Sequence, residues 1–580
     1  VRPHPAAAGE TGIDRGRKQQ ALESDRDDRG HLVLFLHAHL PYVRHPADED
    51  FLEEDWLYEA ITETYIPLLA VAEGWQRDGI RARITLSLSP TLLEMLRDDL
   101  LLARYARRLR KLLELAQSEV RRNANDERFR PTAEMYRDRL ADALDRFETR
   151  YSRDLVAAFK SLQDAGILEI VTTCATHAYL PCFDAGFARA QIRIGANCYR
   201  EHFGCNPRGM WLPECGFVPG IDRLLAEEGI TYFFVDSHGV EYADPPPSFG
   251  TYSPIVCPSG VFAFPRDIQS SARVWSAAWG YPGDSRYREF YRDIGHDLDD
   301  SSIAPFRLAD GSRRNVGLKY YSVTGGNVPL HAKEPYDRGA ALAAVDEHAN
   351  DFVSGRAEQI EHWRSVLKRP PVVGAPYDAE LFGHWWFEGP EFLDLVVRKV
   401  TCEQRTFQLS SPTDVIDSGL DFQVAMPAAS SWGAYGYSNT WLNDTTEWIW
   451  PDLHRATAEM ARIACEHPRA EGLERRALAQ LGREVLLASA SDWPFMITMG
   501  TTVHYAESRI RTHLGRANRL LQGIRAHATD EQWLMTVEVD DNLFRDIDYH
   551  DLAAPGGRRC ADISGSADGL SSTRGTAAAT

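Results

Sequence analysis

The residues best suited to chemistry are acids and histidines at the ends of short apolar runs. Glu214 lies in Trp211-Leu-Pro-Glu-Cys-Gly-Phe217 and Asp378 in Ala375-Pro-Tyr-Asp-Ala-Glu380. In such surroundings a carboxylate is costly unless it is paired or functional. Two opposed carboxyls are what glycoside cleavage needs: one gives its proton to the departing oxygen while the other stabilises or attacks the oxocarbenium-like centre, the two standing about 5 to 5.5 Å apart in a retaining enzyme. Tryptophan offers a broad apolar face to a pyranose ring, and Trp275, Trp279, Trp385, Trp386, Trp432, Trp441, Trp448 and Trp493 crowd near these and related motifs. Taken singly, each acid could equally be a surface or capping group. Core packing accounts for some of the tryptophans, but less easily for Gly383-His-Trp-Trp-Phe-Glu-Gly389.

His37 and His39 are two residues apart on an apolar run, so their imidazoles share one side of a strand. Three readings are open: ligands of a metal that activates water, neutral hydrogen-bond partners for a polyhydroxylated substrate, or a structural pair tied to backbone groups. Further ligands for a metal would come from His177, Asp236, His238 and Asp378. Another polar island, Ser489-Ala-Ser-Asp-Trp-Pro-Phe495, offers Asp492 either to the same cleft or as a helix cap. Phosphate-binding loops, dinucleotide fingerprints and nucleophile elbows are lacking.

Positioning these groups falls to a chain of 580 residues, 44% hydrophobic and 26% charged. These are ordinary globular values, at a length that suggests two to four domains. Basic residues number 64 against 84 acidic, a net charge of −20 that repels phosphate backbones, and no basic patch offsets it. Nine cysteines without a C-x-x-C pair read as buried thiols of a reducing compartment. With no apolar window of membrane length and no signal-like segment, the expectation is a cytoplasmic protein without a membrane partner.

A polar leader over 1–30 reads as disordered, and the fold begins at His31. There a continuous apolar run suits a strand buried on both faces, with functional residues at its carboxyl end as in an α/β barrel. A helical stretch over 56–74 and a short strand before Pro90 complete a β-α-β unit. Charged amphipathic helices from about 92 to 160 form an insertion. Further strands lead to His177, to Glu214, to Asp236 and His238, and to Asp378. A loop rich in proline and aromatics, Tyr242 to Gly260, is expected over the site. From 389 to 555 the pattern is mainly helical, interrupted by the aromatic loop around Trp432, and 556–580 is low in complexity.

Together, the motifs HAHLPY (from His37), WLPECGF (from Trp211), APYDAELFGHWWFEG (from Ala375) and SSWGAYGYSNTWLN (from Ser430) resemble glycoside hydrolase family 57, and within it the 1,4-α-glucan branching enzymes, over roughly His31 to Asp551. The resemblance implies an α/β fold: an incomplete (β/α)7 catalytic barrel over 31–388 with the helical insertion, and a C-terminal helical domain over 389–555 that closes the cleft. It implies Glu214 as nucleophile and Asp378 as general acid/base. It also sets His37, His39, His177, Tyr252, Trp275, His384, Trp432, Trp441 and Asp492 at the substrate, an α-1,4-glucan such as amylose or a glycogen-like chain, with no metal or other cofactor. The sequence departs from the family at Ala434 and Tyr435, where a glycine doublet is usual, and at Pro265, usually glycine. The same two carboxyls serve branching, disproportionation or hydrolysis, according to whether the acceptor is a 6-hydroxyl, a 4-hydroxyl or water. From other classes, a metal-dependent hydrolase leaves WLPECGF unexplained, and a non-catalytic glucan-binding protein has no use for two opposed acids.

Overall fold

The computed structural model describes residues 29–276 and 279–553. The expected leader and tail lie outside the described residues, apart from Arg29 and Gly30 at the start. All of strand β1 (Gly30–Ala38) is buried, for a reason its alternation makes plain. Val33 and Phe35 point into a lumen shared with Val171, Trp211, Phe234, Phe264 and Val372, while Leu32, Leu34 and Leu36 meet the surrounding helices. A strand with two apolar neighbours needs two apolar faces, and the inward parity carries on to His37 at the top of the lumen.

The other strands are β2 (Ile84–Leu88), β3 (Leu168–Thr173), β4 (Gly209–Trp211), β5 (Tyr232–Val235), β6 (Ile255–Val256), β7 (Phe262–Pro265), β8 (Val372–Asp378) and β9 (Phe407–Leu409). Seven run parallel in the order β7, β5, β4, β3, β2, β1, β8. The two outermost meet through a backbone bond from the N–H of Asp267 to the carbonyl of Gly374 at 2.7 Å. Only glycine permits this approach, since a Cβ on Gly374 would lie 2.4 Å from the carbonyl oxygen of Pro265. This curled sheet is the incomplete seven-stranded barrel that the resemblance implies, with β6 added antiparallel to β7.

Helices Asp99–Arg122 and Arg130–Asp145 pair as the insertion. The first starts where the Asp98 carboxylate accepts the N–H of Leu101 at 3.0 Å, and it buries Leu101, Tyr105, Leu109, Leu112 and Ala116 along one face. Toward the C-terminus, helices Ile449–Glu466, Gly472–Ala488, Val503–Arg525 and Glu531–Asp540 pack together. The short helix Asp492–Met499 links them to the barrel mouth.

Three expectations need correction. The boundary at 388 falls inside the barrel, because β9 pairs in parallel with the amino end of β1 and Val415 packs with the lumen residues. Three residues among polar neighbours make too short an apolar run to be recognised as a strand. The loop around Tyr252 does not cover the site: the carbonyl of Tyr252 accepts the N–H of Val372 at 2.8 Å. That is the amino end of β8, about 20 Å along the strand from Asp378. The cysteines are free among the described residues, but Cys205 and Cys402 are exposed rather than buried. Among the described residues, no helix is long and apolar enough to cross a membrane.

Candidate active site

A cavity of about 1130 Å³ opens at the carboxyl ends of the strands and is lined by His37, His39, His177, Glu214, Asp378 and Asp492, among others. The lumen supplies its floor: Trp211 lies beneath His37 with ring centroids 5.0 Å apart.

Glu214 sits in the turn Pro213–Cys215 that follows β4, with φ 64° and ψ 22°. The left-handed region is unfavourable for a non-glycine residue and persists where surrounding contacts enforce it. Here the contacts are plain. The indole N–H of Trp432 donates to Oε2 at 2.8 Å, the Ser491 hydroxyl donates to Oε1 at 2.8 Å, and the Trp432 amide donates to the Glu214 carbonyl at 3.0 Å. Burial raises the Glu214 pKa, the bonds from Trp432 and Ser491 oppose the rise, and the nearby charge of Asp492 adds to it.

Asp378 ends β8. Burial lifts its pKa well above the usual carboxylate range, repulsion from Glu380 and Glu214 lifts it further, and Arg266 opposes. Glu380 accepts hydrogen bonds from the Tyr65 hydroxyl at 2.5 Å and the His39 amide at 3.2 Å. Burial pushes its pKa up to about 7, against those bonds. Tyr65 closes a π-helical turn, Ile61–Tyr65, which also aims Glu63 at Arg288, 2.6 Å away.

The histidines stack as a group. The rings of His39 and His177 are 3.8 Å apart, and Nε2 of His37 lies 2.9 Å from Nε2 of His177. Burial, followed by the charge of His39, drives the pKa values of His37 and His177 well below normal, so both are neutral. His39 Nε2 meets the Asp492 carboxylate at 3.1 Å.

His39, His177 and Asp492 place donor atoms close enough for one metal ion, which bears on the metal-hydrolase reading. His177, however, has no lone pair to spare: Nε2 faces His37, and Nδ1 lies 2.8 Å from the Ser491 hydroxyl. Two other donor clusters, Glu94 with Cys198 and His202, and Glu484 with His513 and Asp541, lie away from this cavity.

Of the residues expected at the substrate, His37, His39, His177, Trp275, His384, Trp432 and Asp492 line the cavity. Two do not. Trp441 is 1% exposed and stacks on Tyr179 at 4.2 Å, supporting the loop that presents Trp432. Gly433 packs directly on its ring, where a Cβ would lie 2.6 Å away. Tyr252 stacks on Trp363 at 4.3 Å, against helix Arg338–Leu367 on the outer wall. Sequence reasoning assigned no role to Ser491, Ser87, Glu380 or Arg266. The first two left faint signals, a hydroxyl inside the small-residue run before Asp492 and another inside the apolar strand β2.

The profile of glycosyl hydrolase family 57 matches residues 33–427, and that of the 1,4-alpha-glucan branching enzyme C-terminal domain matches residues 452–551. A 1,4-alpha-glucan branching enzyme of Thermococcus kodakarensis is 33% identical over 90% of this chain and 78% of its own. Two solved structures superpose closely. The alpha-amylase AmyC of Thermotoga maritima is 42% identical with a TM-score of 0.85, covering 91% of this chain and 99% of its own. The GH57-type branching enzyme of Pyrococcus horikoshii is 33% identical with a TM-score of 0.80, covering 90% and 97%. The chain belongs to glycosyl hydrolase family 57 and carries the C-terminal domain of that family's 1,4-alpha-glucan branching enzymes.

Proposed function

We propose that this chain is a 1,4-α-glucan branching enzyme that cleaves an α-1,4-glucan through a covalent glucosyl-Glu214 intermediate and passes the released chain to a glucan 6-hydroxyl. The observation that carries this reading is the unequal treatment of two acids in one cavity. Burial raises the pKa of both, but two donors oppose the rise at Glu214, whereas at Asp378 two neighbouring acids add to it and hold that carboxyl toward its protonated form. That is the division of labour a retaining mechanism requires.

Ionised Glu214 attacks the anomeric carbon while Asp378 gives its proton to the departing glycosidic oxygen. Asp378, now a carboxylate, takes the proton of the incoming hydroxyl as that oxygen displaces Glu214. Both bonds form on opposite faces in turn, so configuration is retained. The neutral histidines His37 and His177 bring no cationic charge that would oppose the developing oxocarbenium. Trp275, Trp432, Trp385, Phe495 and Met499 give the cavity a wide apolar wall, suited to stacking on sugar rings and to limiting water at the glucosyl-enzyme.

Hydrolysis is the second reading, favoured by the 42% identity to a protein described as an alpha-amylase. Incubation with amylose separates the two, by counting reducing ends released and α-1,6 linkages formed after debranching. A branching enzyme forms linkages in step with cleavage. Reducing ends that accumulate without linkages assign the chain to hydrolysis.

A further inference from the structure

Ser491 and His177 stand at one end of a chain of side chains that runs beneath the site. It passes from Ser87 on β2 to His37 on β1, to His177 in the turn after β3, to Ser491 before helix Asp492–Met499, and to Glu214. Successive separations are 3.3, 2.9, 2.8 and 2.8 Å. Its four members before Glu214 are buried, His177 at 3% and Ser491 at 1% exposure.

Proton counting gives the chain a direction. The Ser491 hydroxyl donates its single hydrogen to the carboxylate, so it accepts from Nδ1–H of His177. A neutral imidazole carries one N–H, so Nε2 of His177 is an acceptor and Nε2 of His37 is its donor. Nδ1 of His37 is then an acceptor, and the only side chain bonded to it among the described residues is the Ser87 hydroxyl. From His37 onward every hydrogen in the series points toward Glu214, while the single hydrogen of the Ser87 hydroxyl is shared between Nδ1 of His37 at 3.3 Å and the Thr172 carbonyl at 3.4 Å. The reverse order would present Glu214 with the oxygen lone pair of Ser491, and two acceptors cannot bond.

The scaffold is built to keep this order. The Ser491 amide donates to the His177 carbonyl at 3.0 Å, and Ala178 bridges Ala490. His177 itself is held at φ 56°. The C-terminal domain is thereby stitched to the barrel at the residue that touches the nucleophile.

We infer that Ser491, oriented by His177 and His37, is a positioning residue that holds Glu214 ionised and fixes which way its carboxylate faces the anomeric carbon. This rests on the reading of Glu214 as nucleophile. The charged or titratable groups facing Glu214 are His177, at 3.9 Å, and His39, Asp492, Asp378, Tyr179 and Cys215. Ser491 contributes neither charge nor titration of its own, so its loss acts through the hydrogen bond alone.

A hydrogen bond to a charged group contributes about 1.5 to 3 kcal/mol, equivalent to a shift of about one to two pH units. Removing it weakens the ionised form, so the Glu214 pKa rises. In Ser491→Ala the acidic limb of the kcat/KM profile on a soluble α-glucan should move up by at least one pH unit, while the basic limb, set by Asp378, stays in place. Ser491→Thr, which keeps the hydroxyl, should restore the limb. His177→Ala, which leaves the serine proton unoriented, should move the limb in the same direction by less. Unchanged limbs with a uniform fall in rate, or a shift that Ser491→Thr does not reverse, would overturn the assignment. If instead Glu214→Gln still forms glucosyl-enzyme, the nucleophile reading itself is what fails. Melting temperatures of the variants separate either outcome from loss of fold.

Discussion

At the mouth of β4, Glu214 receives an indole N–H and a hydroxyl, one on each carboxylate oxygen, both from the C-terminal part of the chain. At the mouth of β8, no described side chain donates a hydrogen bond to Asp378, which faces two other acids and is opposed by Arg266. The first arrangement costs the protein two long-range contacts and a strained turn; the second costs it the repulsion of crowded carboxyls. The difference teaches how one fold can prepare two chemically similar, buried acids for the opposite tasks proposed for them: two hydrogen bonds oppose the effect of burial at one, and the like charge of two neighbouring acids adds to it at the other. Both donors come from beyond residue 427, Trp432 from the loop packed on the lumen and Ser491 from the segment before helix Asp492–Met499, so the site is completed by the later part of the chain.

The comparison can be broken most completely at the acids themselves. Glu214→Gln keeps the size of the side chain and can still bond Trp432 or Ser491, but it cannot form the glycosyl ester. It should lower cleavage of amylose by more than about 10⁴-fold while glucan binding survives, measured as initial rate and as a dissociation constant for a maltooligosaccharide. Retention of a tenth of the wild-type rate would reject its role.

Next in size is Trp432. Trp432→Phe retains an aromatic face and loses only the donor to Oε2, so kcat/KM should fall about 10- to 100-fold for both cleavage and branching together. A fall in branching alone would instead make Trp432 a platform for the acceptor.

Glu380 sharpens the β8 half. A carboxyl whose folded pKa is raised to about 7 gives stability that is fully present below its unfolded pKa near 4.5 and is lost as the pH rises through 7. Glu380→Gln removes that loss and the repulsion on Asp378. Its stability relative to wild type should therefore improve between pH 4.5 and 7.5, by up to about 3 kcal/mol, while the basic limb of activity moves to lower pH. Thermal melts across that window check the sign; a variant that loses ground as the pH rises contradicts it.

The smallest effect belongs to Tyr252, on the outer wall. Tyr252→Ala should lower stability by about 1 to 3 kcal/mol through lost stacking on Trp363 and leave the ratio of branches to reducing ends unchanged. A changed ratio would mean that the loop reaches the cleft during turnover.

Much of this was legible in the sequence because barrel strands advertise themselves. The apolar run of β1 with His37 and His39 at its end, and the acids after Trp211 and Tyr377, follow directly from strands buried on two faces with function at their carboxyl ends. Less visible was anything decided by distant packing. Trp432 and Trp441 look alike as letters, yet one donates to Glu214 and the other is sealed under its loop by Tyr179 and Gly433. Ser491 is 277 residues from Glu214, and no local pattern distinguishes its hydroxyl from that of Ser489. Strand β9 was hidden by its brevity, and Tyr252 was misplaced because a proline-rich segment states that the chain turns, not at which end of the barrel it does so.

The central claim is that Glu214 carries the glucosyl group and Asp378 moves the protons. Its most direct test uses Asp378→Asn with an α-glucosyl fluoride, whose leaving group needs no proton. Glu214 can still attack, but without the base at position 378 the second displacement is slowed, so the covalent adduct should accumulate. Mass spectrometry of the proteolysed protein should find one added glucosyl unit on the peptide containing Glu214. An adduct on any other residue, or product formed with inverted configuration and no adduct at all, would contradict the account.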